Sequence, residues 1–277
     1  MISPVVSPLL TGIRIVSTAI NVPGPAAAAR LVELGASVTK VEPPGGDPLE
    51  AASPELYTQL AAGQDVVRLD LKDDAGRARL DELLAAADAL LTSSRPSALS
   101  RLGLGREQLE ARHPQLAHVA IVGHPAPDQE RPGHDLTYVA EHGLVTPPQL
   151  PQALVADLGG AERAATALVA LLLGRARGGA QRDAEVALAD AAAFFSLPHE
   201  HGLTRRGGHL GGGSPFYGLY GADGGWIALA ALEPRFRERL EAELGGAPEQ
   251  DSFAARTPAE WEAWAAERDL PLAAVAG

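Results

Sequence analysis

The fold is decided by residues 12–44, GIRIVSTAINVPGPAAAARLVELGASVTKVEPP. Ile13–Ser17 is apolar and rich in β-branched residues, which predicts a buried strand. Pro23-Gly24-Pro25 then opens an alanine-rich helix from Ala26 to about Leu34. Proline is tolerated there because the N–H it lacks would have no partner in a first helical turn. Gly35 stands at the stop position and Ser37–Glu42 predicts a second strand. Strand, helix and strand in so short a span make a βαβ unit, with parallel strands and a right-handed crossover.

The alternation continues outward from this unit. Strands are predicted at Val66–Leu71, Ala89–Thr92, His118–Val122 and Glu185–Leu188, and helices at Ala75–Ala87, Arg106–Arg112, Ala161–Arg175 and Ala189–Ser196. The helix at Ala161–Arg175 is apolar on most faces and therefore reads as buried. Leu197–Ser214 is rich in glycine and reads as a linker. Beyond it, Tyr217–Tyr220 and Trp226–Ala230 flank a turn at Asp223-Gly224-Gly225 and predict a hairpin, followed by helices at Pro234–Leu244 and Thr257–Arg268. The expected class is α/β, with a Rossmann-like parallel-sheet large domain over 1–204 and a smaller α+β domain over 205–277.

Composition narrows the function. The 277 residues carry a net charge of −12 and no cysteine. Phosphate neutralisation needs a basic face, so nucleic acid is not an expected partner. Disulfides and thiolate chemistry are excluded, and no stretch reaches the ~18 apolar residues of a membrane helix. The N-terminal segment MISPVVSPLLTGIRIV shows no basic leader region, so a cytoplasmic protein is expected. There is no G-x-G-x-x-G after the first strand and no P-loop, which argues against a nucleotide-driven enzyme.

Two places could carry chemistry. Asp157, in Val155-Ala156-Asp157-Leu158-Gly159-Gly160, stands at or just before the expected start of the buried helix. Helix N–H groups and the macrodipole would favour its ionised form there. Gly159 and Gly160 would let a ligand carbonyl approach backbone N–H groups. Equally, Asp157 could simply cap the helix and the glycines could serve packing. His134, in Arg131-Pro132-Gly133-His134-Asp135, can shuttle a proton near neutral pH, although a loop histidine can also be plain polar surface. The spacing of His199, His201 and His209 fits no metal motif, and no metal is expected.

These segments together resemble the CaiB/BaiF-like family of family-III CoA-transferases and α-methylacyl-CoA racemases. The resemblance starts at LLTGIRIVSTAINVPGPAAAARLVELGASVTKVEPPGGDP and passes through RPGHDLTYVAEHG, ALVADLGG and LVALLLGRARGGAQRDAEVALADAAA. It reaches GGGSPFYGLYGADGGWIALAALEPRF and TPAEWEAWAAERDLPLAAV. It implies that Asp157 is the catalytic carboxylate, that His134 of Gly133-His134-Asp135 is its acid/base partner, and that Glu233 of Glu233-Pro234-Arg235-Phe236 orients the histidine. It also implies an acyl-CoA thioester as substrate, with coenzyme A arriving as part of it and no tightly bound cofactor. Lys40 and Arg95 would hold CoA, Gly159 and Gly160 would stabilise the intermediates, and the chain would form a homodimer. The small domain is expected to be truncated at its C-terminus relative to the family. The usual basic loop before the third strand is replaced by Ala61-Ala62-Gly63-Gln64-Asp65.

The leading expectation is an acyl-CoA racemase or epimerase working by proton abstraction alpha to the thioester. The alternatives are a CoA-transferase working through an aspartyl intermediate, and a non-catalytic member that binds an acyl ligand or a partner.

Overall fold

Residues 8–276 are described in a computed structural model of the chain, so residues 1–7, on which the expected absence of a leader partly rests, lie outside it. The βαβ unit forms as β1 (Arg14–Ser17), α1 (Pro23–Glu33) and β2 (Ser37–Glu42). Two short helices, α2 (Pro48–Ala52) and α3 (Pro54–Ala61), precede β3 (Asp65–Arg68). Then come α4 (Asp74–Ala85), β4 (Ala89–Thr92), α5 (Pro96–Arg101), α6 (Arg106–Arg112) and β5 (Ala117–Val122). The run closes with α7 (Asp135–Glu141), α8 (Val155–Ala176), β6 (Asp183–Ala187) and α9 (Leu188–Glu200).

The six strands form one parallel sheet in the order β3-β2-β1-β4-β5-β6. The chain builds outward from β1 in one direction and then returns to build from β4 in the other. The loops leaving β1 and β4 therefore diverge, and a crevice opens beyond the carboxyl ends of these strands.

Because side chains alternate across a strand, β1, β2 and β4 each feed two cores. Ile15, Ala89, Leu91, Val119 and Ile121 pack under α1 and α8 on one face, with Leu31, Ala164 and Leu168 among their partners. Val16, Val41 and Leu90 face the other way, onto Leu80, Leu84, Leu99 and Leu109 of α4, α5 and α6.

The chain divides into two compact units, one running to Phe195 and the other from Ser196 onward, so the division falls inside α9 and not in the glycine-rich segment after it. The second unit holds an antiparallel sheet of β7 (Tyr217–Ala222), β8 (Gly225–Ala230) and β9 (Leu272–Ala274) with α10 (Pro234–Leu244) and α11 (Pro258–Glu267). Its core is aromatic: Tyr220, Phe253, Trp261 and Trp264 are buried with Ile227, Leu240 and Leu272.

Lys40 corrects an expectation. Its side chain is fully buried, with Nζ 2.6 Å from Glu42 Oε1 and 2.6 Å from Asp47 Oδ2, so it is not free to hold a CoA phosphate. Other acceptors of this cluster are partnered too, except Glu42 Oε2, which takes no hydrogen bond and has Arg68 Nε 3.6 Å away. Tyr57 donates its hydroxyl to Glu42 Oε1 at 2.7 Å, and Asp47 Oδ1 accepts the N–H groups of Asn21 and Leu49 at 2.9 and 3.0 Å. Asn21 adopts a left-handed backbone (φ 66°), tolerable for asparagine, and the Asp47 carboxylate holds it there.

Removing one partner of such a buried network leaves the other charges unpaired. Lys40→Met should therefore lower the unfolding free energy by about 3–5 kcal/mol in urea denaturation, and a loss under about 1 kcal/mol would refute a paired, dry cluster.

Candidate functional site

At the carboxyl edge of the sheet, Ile20 and Asn21 follow β1, Ser93 and Arg95 follow β4, and Gly123 follows β5. With Gln129, Arg131, Gly133, His134, Tyr138, Asp157 and Leu188 they line a cavity of about 260 Å³ at the switch point of the sheet. Ser93 Oγ accepts the Ile20 N–H at 2.9 Å and ties the two diverging loops together.

Asp157 lies in the first turn of α8, not at its cap. The helix begins earlier than the sequence predicts because its cap comes from far away in the chain. Buried Asp135, at the start of α7, accepts the N–H of Ala156 at 2.7 Å and of Asp157 at 3.0 Å on one carboxylate oxygen. Those two donors are among the groups that a helix start leaves without partners. Asp135, rather than Asp157, is therefore the capping carboxylate, and the capping role weighed for Asp157 is already filled.

The consequence is electrostatic. Asp157 was expected to be held ionised. Instead, burial and then the neighbouring charge of Asp135 push its carboxyl up from 3.8 to about 7. Each factor penalises the second negative charge in this corner. A carboxyl poised there can take and return a proton at neutral pH.

His134 is the N-cap residue of α7, and its own N–H is held by Thr137 Oγ1 at 3.1 Å while its ring lines the cavity. Arg95 lines the same cavity, exposed, and its guanidinium makes no ion pair among the described residues. Asp157, His134 and Arg95 are thus brought together as expected.

Gly159 and Gly160 are not. Both lie inside α8, where Leu158 N–H already closes onto Leu154 C=O at 2.9 Å, so backbone donors from that point on are spent within the helix. A Cβ at Gly159 would lie 2.3 Å from the Phe195 ring, and one at Gly160 2.3 Å from Leu188. They admit neighbouring side chains against the helix rather than a ligand. Glu233 belongs to the second unit, where it stands exposed at the N-cap of α10.

Sequence reasoning missed Asp135, Tyr138, Asn21 and Ser93. Asp135 stands directly after His134 in the quoted motif, but nothing local shows that its carboxylate reaches a helix that starts twenty residues further on.

Comparison with known proteins places this geometry. The chain matches CoA-transferase family III across residues 10–276. It is 31% identical to human alpha-methylacyl-CoA racemase over 91% of this chain and 74% of that protein. It is also 33% identical to the cinnamoyl-CoA:phenyllactate CoA-transferase of Clostridium sporogenes, over 50% of this chain and 37% of that protein. A crystal structure of a Mycobacterium tuberculosis protein, hypothetical by its description, superimposes with a TM-score of 0.82 at 26% identity, covering 98% of this chain and 86% of that one.

The raised carboxyl has a measurable effect on stability. Asp157 binds its proton more tightly when folded (about 7) than at its ordinary value of 3.8. The stability this contributes is present below the ordinary value and lost as pH rises through the folded one. Asp157→Asn should therefore be more stable than the wild type by about 2–4 kcal/mol near pH ~8, with the advantage shrinking towards pH ~4. Urea unfolding across that range measures it, and a difference independent of pH would contradict the assignment.

Proposed function

The chain belongs to CoA-transferase family III, and from that premise we propose that it racemises or epimerises an acyl-CoA at the carbon alpha to the thioester. The observation that carries the reading is that His134 and Asp157 line one cavity, with the Asp157 carboxyl at about 7. A thioester makes its α-proton weakly acidic. A carboxylate on one side of that carbon takes the proton, and an imidazolium on the other side delivers one, inverting the centre. In the opposite direction the two groups exchange roles, and neither is consumed. The likeness to the human racemase along most of the chain supports the same reading.

Arg95, unpaired at the cavity wall, is the group proposed to meet the phosphates of CoA, which enters only as part of the substrate. This proposal uses groups of the first unit alone.

A homodimer is part of the proposal. Leu154 at the N-cap of α8, Leu158 within it, and Phe194 and Phe195 of α9 stand exposed, the kind of apolar surface that a second copy would cover. Light scattering at micromolar concentration should return twice the mass of one chain, and a monomer mass would remove this element.

The chemistry is tested by NMR of purified protein with 2-methylacyl-CoA in D₂O. Deuterium should enter the α-carbon, faster as pH rises through about 7. Asp157→Asn should slow the exchange by about 10²–10⁴-fold. No exchange over a series of acyl-CoAs, together with CoA transfer to a free carboxylic acid, would replace this reading with the transferase one, in which the same carboxylate attacks the thioester.

A further inference from the structure

Removing a proton alpha to a thioester moves negative charge onto the thioester oxygen, and that charge needs a donor. Gly159 and Gly160 do not supply it, because their N–H groups are enclosed in α8. The cavity wall offers another candidate.

Tyr138 stands in α7, four residues after His134, and is 2% exposed. Its ring is wedged between two glycines. A Cβ at Gly133 would lie 2.5 Å from ring atom Cε1 and 2.8 Å from the hydroxyl, and a Cβ at Gly123 would lie 2.4 Å from the hydroxyl. Any larger residue at either position would push the phenol out, so both positions are shaped around it. The edge of the ring is held by His124, with centroids 5.2 Å apart and planes at 80°.

The hydroxyl lies against the residue that precedes His134, on the wall it shares with His134 and Asp157. It has no hydrogen-bond partner among the described residues. Tyr138 lines the cavity and its hydroxyl has no protein acceptor among those residues, so its hydrogen is available to an acceptor arriving there. Burial, and then the charge of Asp157, push the phenol up to about 12, so it stays protonated and keeps a hydrogen to donate.

We propose that Tyr138 is a further catalytic residue, its O–H donating to the thioester carbonyl oxygen of the substrate as the α-proton leaves. The inference rests on the function proposed above. In the step, the α C–H bond breaks and its proton passes to the Asp157 carboxylate. The electron pair forms the C=C bond, and the carbonyl π pair moves onto oxygen, where it meets the Tyr138 hydrogen. Tyr138 keeps its proton throughout. When His134 delivers a proton to the opposite face of the carbon, the oxygen pair returns to the carbonyl.

The test pairs a rate with an equilibrium readout. Tyr138→Phe keeps the ring between the two glycines and should fold with an unchanged thermal transition. Its kcat for α-proton exchange should fall about 10²-fold while KM moves less than about 3-fold. Isotope-edited infrared spectroscopy of bound 2-methylacyl-CoA, carrying ¹³C at the carbonyl, provides the second readout. The carbonyl band should shift to lower frequency in the wild type and in Asp157→Asn, and return to its solution position in Tyr138→Phe.

Exchange in Tyr138→Phe within about 3-fold of the wild type would overturn the role of Tyr138 and leave the function standing. A wild type without exchange would overturn the racemase reading, and the infrared shift would then decide Tyr138 by itself. A shift lost in Tyr138→Phe keeps the donor, and a shift unchanged by that substitution, or absent from the wild type, removes it. Absence of binding removes both.

Discussion

One carboxylate oxygen on Asp135 organises the wall of the cavity that holds Asp157, His134 and Tyr138. By accepting the N–H groups of Ala156 and Asp157 it sets where α8 begins, and so places Asp157 in the first turn with its side chain on the cavity. The same bond fastens α7 to α8, so His134 at one end of α7 and Tyr138 within it share a rigid body with Asp157. It also occupies two of the backbone donors that would otherwise have stabilised the Asp157 anion. Burial first, and then the negative charge of the Asp135 cap, raise the Asp157 carboxyl to about 7.

The opposite wall is held by a second network of the same kind. Lys40, Glu42 and Asp47 form a dry cluster between β2 and the loop after it, and Asp47 reaches back to hold Asn21 in its left-handed conformation. Ser93 ties the β4 loop to the β1 loop across the switch point. The crevice exists because parallel strand order reverses between β1 and β4, and these two anchors fix the loops that line it. The cavity is thus lined by segments fixed by buried or partly buried hydrogen bonds, an arrangement that would limit reorganisation during the proposed charge-forming step.

Elements whose signals are local were legible. Strands β2 and β4 and helices α6 and α10 stand where periodicity and turn residues put them, since apolar alternation and prolines at helix starts act within a few residues. Helices α2 and α3 were not foreseen, because each is short and carries too few apolar residues to show a period. Strand β9 escaped for another reason: three residues declare nothing until β8 offers them an edge. The start of α8 was misplaced by the local reading because its cap lies twenty-one residues away.

The sequence by itself determined the α/β class, the alternation of strand and helix, and the family to which Asp157, His134 and Arg95 belong. The first two rest on residue type and spacing along the chain, and the family rests on the resemblance of the quoted segments. The tertiary structure alone decided which charges are spent and which are available. Lys40 looked like a phosphate ligand until its two carboxylate partners closed around it, and Gly159 and Gly160 looked like an oxyanion cradle until α8 enclosed their N–H groups. Tyr138 was not singled out in the sequence, and only the fold shows its ring set between two glycines on the cavity wall. Burial and long-range hydrogen bonding set the protonation and the reach of a side chain, and both arise from contacts between segments that the order of residues does not place side by side.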